Sequence, residues 1–569
     1  MSGSMFEIIE KTETKDTQKS KTSKRDSKPA PKHHSAPGKN DAKLKNMFGK
    51  ITGNLMTIYV LFYLAVFPLC IHDHYYDILT FRFGLFWKPT LAYGVIFALL
   101  GLFYLVADKL YNEGKIIKSF IGSLKNKGWK KYITKTDIAF TALILIFSLS
   151  TALAEYPYEA FWGNRGRWHG LLIWLMFYIA YILITRFYEY KKWHLYAFLL
   201  SACLVVIWAI FNFFLINFGM FEDTKDDYKY TFVSSIGNIN TYCNFTGMFF
   251  GVAAAMFVLA EKPLENILIY IALAIAAFGQ IMGLSENAAL STAIVLAVLP
   301  FCIVKTRTHI AKFLIVMSTY LTAMKITSVL TTLGYETMND LDPSLQITTA
   351  GKSFFTTVLT MVLLITALSV VYALKKKDTK DSKDVKAFKI FWEILIAAGI
   401  CSTVIIFICA NKGIHSELWE PYRSFLVFDD RWGTGRGLNW RLGMEYWHND
   451  STFLSKLLGY GPDTYYIITM DRFMKIMMAA GYGMFDSAHN EYFEYFITVG
   501  ILGLASYLVF LYTMIKSMLR SGVPGFKAAA VGVIAYAFQA VVNIAVPITT
   551  PVLMVLMFIG NSKKSENEG

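Results

Sequence analysis

The chain is written as long apolar runs separated by short charged breaks. Runs near 20 residues recur at roughly 51–71, 89–107, 137–154, 170–185, 195–217, 240–260, 267–284, 287–304, 313–333, 353–374, 390–410, 496–515, 527–546 and 548–560. A helix of that length crosses the ~30 Å hydrocarbon layer of a bilayer. The pattern predicts an all-α polytopic membrane protein with about fourteen spans. In the last pair, Pro547 and Pro551 are expected to mark a tight hairpin. Five segments follow. Residues 1–47 read as a disordered basic cytoplasmic tail, rich in Lys, Ser and Thr. Residues 48–410 hold the first eleven spans, and 411–495 form one large extracytoplasmic loop. Residues 496–560 hold the last three spans, and 561–569 are a second cytoplasmic tail. Within the large loop, 439–447 and 470–480 have amphipathic helical spacing, expected of short helices at the interface.

Charge then orients the spans. Lysines crowd 108–136 and 375–389, with smaller basic groups at Arg186, Lys191 and Lys192, and at Lys305, Arg307 and Lys312. These breaks alternate in phase with the basic N-terminal tail, so both termini are expected in the cytoplasm. The net charge of +14 is thereby a statement about membrane orientation, not about nucleic acid. All six cysteines lie in or beside apolar spans without a CxxC pair, and read as packing residues.

Arginine departs from the lysine bias. Of twelve arginines, Arg82, Arg165, Arg167, Arg423, Arg431, Arg436, Arg441 and Arg472 fall on the side expected to be outside. Guanidinium groups grip phosphate and carboxylate bidentately, so their clustering there suggests a bound anion. Local pairing with Glu417, Glu420, Asp429, Asp430 and Glu445 is the competing use. No metal or cofactor is expected: His72 and His74 form a close histidine pair without two further ligands, and no phosphate-loop or dinucleotide fingerprint is present. A further histidine, His489, stands in Asp486-Ser-Ala-His489-Asn490-Glu491-Tyr-Phe-Glu494, at the mouth of the 496–515 span. A histidine so placed can handle a proton at the membrane surface.

Four segments together resemble the O-antigen ligase and O-antigen polymerase superfamily. Gly435-Arg436-Gly-Leu-Asn-Trp440-Arg441 resembles its GR…W segment, and Leu458-Gly459-Tyr-Gly461-Pro462 its lfGxG turn. Ala488-His489-Asn490, with an acidic residue and a G-x-x-G helix after it, resembles its HN…E…GxxG signature. Ile236-Gly-Asn238-Ile-Asn240 is similar to its G…NxN segment. The order matches over roughly 137–560. One departure stands out: Ser285-Glu286-Asn287 lies where many members have Ser-Arg.

The resemblance implies a GT-C-like helical bundle in the cytoplasmic membrane of a bacterium, active on the extracytoplasmic face. It implies metal-independent, inverting transfer of a glycan from undecaprenyl diphosphate to an acceptor hydroxyl on a glycan, lipid or protein. His489 and Arg436 take the catalytic positions. Arg436, Arg441, Arg431, Arg165 and Arg167 are the candidates to bind diphosphate, the last two replacing the arginine missing near Glu286. Glu491, Glu494, Asn490 and Asn240 are candidate supporting residues. The chemistry fits: diphosphate leaves readily if its charge is stabilised, and a neutral imidazole with a reference pKa of about 6.5 suits an acceptor hydroxyl. A transporter or flippase of lipid-linked glycans is the alternative, disfavoured by sparse mid-span charge and no visible internal repeat. A non-enzymatic assembly or sensor protein is a third; it places no special demand on His489.

Overall fold

The computed structural model describes residues 39–128, 132–164, 166–216, 232–283, 285–333, 352–376 and 378–564. Helices dominate; the only strands among these residues are four two-residue pieces. Ten helices among the described residues are long and apolar enough to cross a membrane, and Leu171–Phe187, Asn287–Cys302 and Thr550–Ile559 are shorter apolar helices. The chain is therefore a helical, multi-pass membrane protein. Its solvent is visible in the packing: Leu99, Leu102, Phe103, Leu364 and Ile394 are all about 60% exposed. Such surface is stable against hydrocarbon and not against water.

At the centre runs Ile239–Leu259, buried along almost its whole length. It packs on Pro263–Met282, Glu286–Cys302 and Pro524–Gln539. The last contact is a glycine crossing. A Cβ on Gly251 would lie 2.9 Å from the Gly532 Cα, and one on Gly532 2.8 Å from the Met248 carbonyl oxygen. Small residues let backbones approach where no hydrophobic drive separates helix from lipid. Phe355–Lys375 and Lys383–Asn411 are almost unburied and lie at the periphery.

The structure departs from the sequence expectation in three places. Residues 1–38 lie outside the described residues, but Lys39–Leu61 is helical, so 39–47 are not a disordered tail. The apolar run simply propagates its helix upstream through good helix formers. Ile78–Asn112 begins eleven residues before the run at 89, because Pro89 is accommodated inside it. Arg82 is consequently no surface anion ligand: fully buried, it donates to the Phe67, Pro68 and Ser235 carbonyls. The Phe67 and Pro68 carbonyls lie where the first span tightens at Phe67–Leu69. Finally, 524–560 contains two helices, Pro524–Gln539 and Thr550–Ile559, separated by the non-helical stretch 540–549.

Lysine-rich breaks meet at one end. Asp381 N–H donates to Lys305 O, Arg307 pairs with Asp384, and Glu189–Tyr190 pairs with Lys563–Lys564. Leu171–Phe187 runs from His169 to this end, about 25 Å by its helical rise, and so separates it from the loops described next.

Candidate functional site

The site is assembled around one turn, 487–490. His489 adopts φ +50°, a left-handed conformation uncommon for a residue with a side chain. The turn is pinned on several sides. Asn439 Nδ2 donates to Ser487 O at 2.9 Å and Trp440 Nε1 to Ala488 O at 2.8 Å. Ala488 N–H donates to Glu494 Oε2 at 2.7 Å. Asn490 caps the Glu491–Thr498 helix by accepting from the Tyr492 and Phe493 amides, each at 3.1 Å. Asn490 thus supports the turn as a helix cap.

Arg436 shares a helix with two of these pins. The backbone is left-handed from Gly433 to Gly435 and helical from Arg436 onward within Trp432–Asn449. Gly435 has φ +93°, and a Cβ there would stand 2.8 Å from the Tyr482 ring; a Cβ on Gly437 would overlap the Asp429 carbonyl oxygen. Glycine on both sides of Arg436 is therefore a steric requirement. One turn on, Asn439 and Trp440 reach the His489 turn, so one rigid helix fixes both catalytic candidates. Tyr465 holds Asn439 in its rotamer by donating to its side-chain oxygen at 2.8 Å.

Loop 163–170 completes the group. The turn 459–462 leads to Asp463, whose carboxylate accepts from Asn164 N–H at 2.8 Å and His169 N–H at 2.9 Å. Arg167 donates to Asp486 at 2.6 Å. Its charge, with that of Arg436, bears on His489: burial first, then Arg167 and Arg436, lower the His489 pKa to about 4, against an opposing effect of Asp486. The imidazole is thus neutral at physiological pH, and a weaker base than the reference value suggests.

Behind the turn is a cavity of about 20 Å³, lined by Arg167, His169, Asp463, Ser487, Glu491 and Glu494 among others, with room for about one water. His169 Nε2, Ser487 Oγ and Glu494 Oε1 are buried without a protein partner. Burial pushes Asp463 up to about 7 and Glu494 up to about 8, so protonated forms are populated near neutral pH. Glu491 is pushed up to about 7 by burial, although the Tyr507, Tyr536 and Tyr495 hydroxyls donate to it. Its carboxyl belongs to that tyrosine cluster; the residue touching the His489 turn is Glu494.

The remaining candidates lie elsewhere. Arg441 is exposed with its fork on Asp430, two bonds of 2.8 Å, and Arg431 is exposed. Arg441 thus already holds a carboxylate, and it directly follows Trp440 on the helix that pins the turn. Arg165 lies outside the described residues, as does the side chain of Glu286. Asn240 accepts from Ser285 at 3.0 Å and Asn287 at 2.8 Å, and its carbonyl accepts from Asn543 at 2.8 Å. It reaches the cavity only through the neighbouring residues Ile544 and Ala545. Asp463, Asp486 and Asn439 carry no role in the sequence reading. The turn Gly459–Pro462 is the signal that points to Asp463. Among the described residues, no three His, Cys, Asp or Glu side chains converge as metal ligands. No known protein family, curated protein or solved structure matches the chain.

Proposed function

We propose that the protein is a glycosyltransferase of the O-antigen ligase type, acting on a glycan carried by undecaprenyl diphosphate. On this reading the bundle is GT-C-like, with about fourteen spans once the three shorter apolar helices and Pro524–Gln539 are counted. It lies in the cytoplasmic membrane of a bacterium with both termini inside. The observation that carries the reading is the fixed relation of His489 to Arg436 and Arg167, set by Asn439 and Trp440 on one side and Asp463 on the other. A neutral imidazole beside two guanidinium groups is what hydroxyl attack on a diphosphate-linked sugar needs.

The acceptor oxygen bonds to the anomeric carbon as the bond from that carbon to the diphosphate oxygen breaks. The electron pair leaves on the diphosphate, and the hydroxyl proton passes to His489. Arg436 and Arg167 stabilise the charge that develops on the leaving group. Displacement in one step inverts the anomeric configuration.

The test is transfer by purified protein in lipid nanodiscs, given lipid-linked glycan and a defined acceptor. His489→Ala should retain donor binding and lose about 10²–10⁴-fold in rate. Near-normal transfer by that variant would remove His489 from the mechanism. Movement of intact donor across a bilayer, with no new glycosidic bond, would favour the transporter reading.

A further inference from the structure

Arg167 already holds an anion. Its Nη2 donates to both carboxylate oxygens of Asp486, each at 2.6 Å. Both contacts use one nitrogen, and the Arg167 Nε–H has no partner. This is not the two-nitrogen fork that makes arginine pairs strong. The Arg167 side chain is 15% exposed and that of Asp486 47%. Asp486 stands three residues before His489, and its charge acts on the imidazole against those of Arg167 and Arg436. A carboxylate therefore occupies part of the grip that a diphosphate would use.

We infer that Asp486 competes with lipid diphosphate for Arg167 and thereby promotes release of the spent carrier. The inference rests on the transferase reading. In the donor, the diphosphate is esterified at both ends. After transfer it is esterified at the lipid end alone, so the product carries more negative charge than the donor. Guanidinium groups placed to stabilise the leaving group hold this product more tightly than the donor. Unopposed, that preference makes product dissociation slow. Asp486 offers Arg167 a second partner tethered in the same site, so it rebinds without a diffusional search. Contact through a single nitrogen lets the carboxylate yield to an incoming donor and return when the product loosens.

A purely positioning Asp486 would hold Arg167 in place and predicts the opposite sign. Asp486→Asn keeps the shape and removes the charge; Asp486→Ala removes both. The full chain, purified in nanodiscs and checked by thermal unfolding, is titrated with inorganic diphosphate by calorimetry. Both variants should bind it roughly two- to fivefold more tightly than the parent. In steady-state transfer, kcat and KM should fall together, and inhibition by undecaprenyl diphosphate should strengthen. Unchanged or weaker diphosphate binding in both variants overturns the inference and leaves the transferase reading standing. No diphosphate binding by parent or variants overturns that reading, and the inference with it.

Discussion

His489 differs from a surface histidine in two measurable ways: its left-handed backbone and its depressed pKa. Left-handed residues with side chains persist where the surroundings impose them, and such strain gathers at functional sites. The pKa has a sharper consequence. A base works deprotonated, so activity falls as pH drops through the pKa. In the free enzyme this acid limb belongs near pH 4, and kcat/KM reports it. Bound diphosphate puts negative charge against Arg167 and Arg436, relieves their repulsion of the imidazolium and raises the pKa. The acid limb of kcat, which reports the complex, should therefore lie at higher pH than that of kcat/KM. Profiles measured from pH 4 to 8 on the same preparation check this. Two limbs coinciding near 6.5 would mean that the arginines do not act on His489. The sequence places His489 at a helix mouth with arginines nearby. It does not reveal the depressed pKa, because burial and the approach of Arg167 arise only when loop 163–170 folds onto residues more than 290 positions away.

At the scale of elements, the helix after Arg436 is a spacer between two chemical groups. Its glycines are legible as a pattern, but their reason is not: Gly437 is required by the Asp429 carbonyl, a contact invisible in the string. Nor does the string say that Asn439 and Trp440 serve the turn bearing His489, since their aromatic and amide character suits packing equally well. Trp440→Phe separates these uses. It keeps a ring against Trp432 and Phe493 and removes the N–H that Ala488 O accepts. A buried carbonyl left without its donor costs about 1–3 kcal/mol. If that loosens the turn, kcat should fall roughly tenfold with KM little changed, since a misplaced base loses rate more than donor affinity. Full kcat in Trp440→Phe would show that packing alone sets the turn.

For the molecule as a whole, apolar run length alone makes the helical membrane class legible, because a bilayer admits few other solutions. The ends of spans are less legible, as Ile78–Asn112 shows: proline in a helix and a buried arginine held by carbonyls both break local rules at no visible signal in sequence. Which end faces outward depends on lysine. The breaks carrying Lys305 and Lys380 lie together, joined by the Asp381 amide on the Lys305 carbonyl, and the chain places His489 across the bundle from them. Positive charge is retained in the cytoplasm during insertion. Lys380 should therefore be inside, and Thr434, exposed beside Arg436, outside. Single cysteines at these positions, in a background where all six native cysteines are serine, distinguish the two faces. Intact cells treated with an impermeant maleimide should label Thr434→Cys and spare Lys380→Cys until the membrane is opened. The reverse pattern would put the arginines and His489 in the cytoplasm. A glycan donor presented at the outer leaflet could not then reach them, and the transferase reading would fail at its first step.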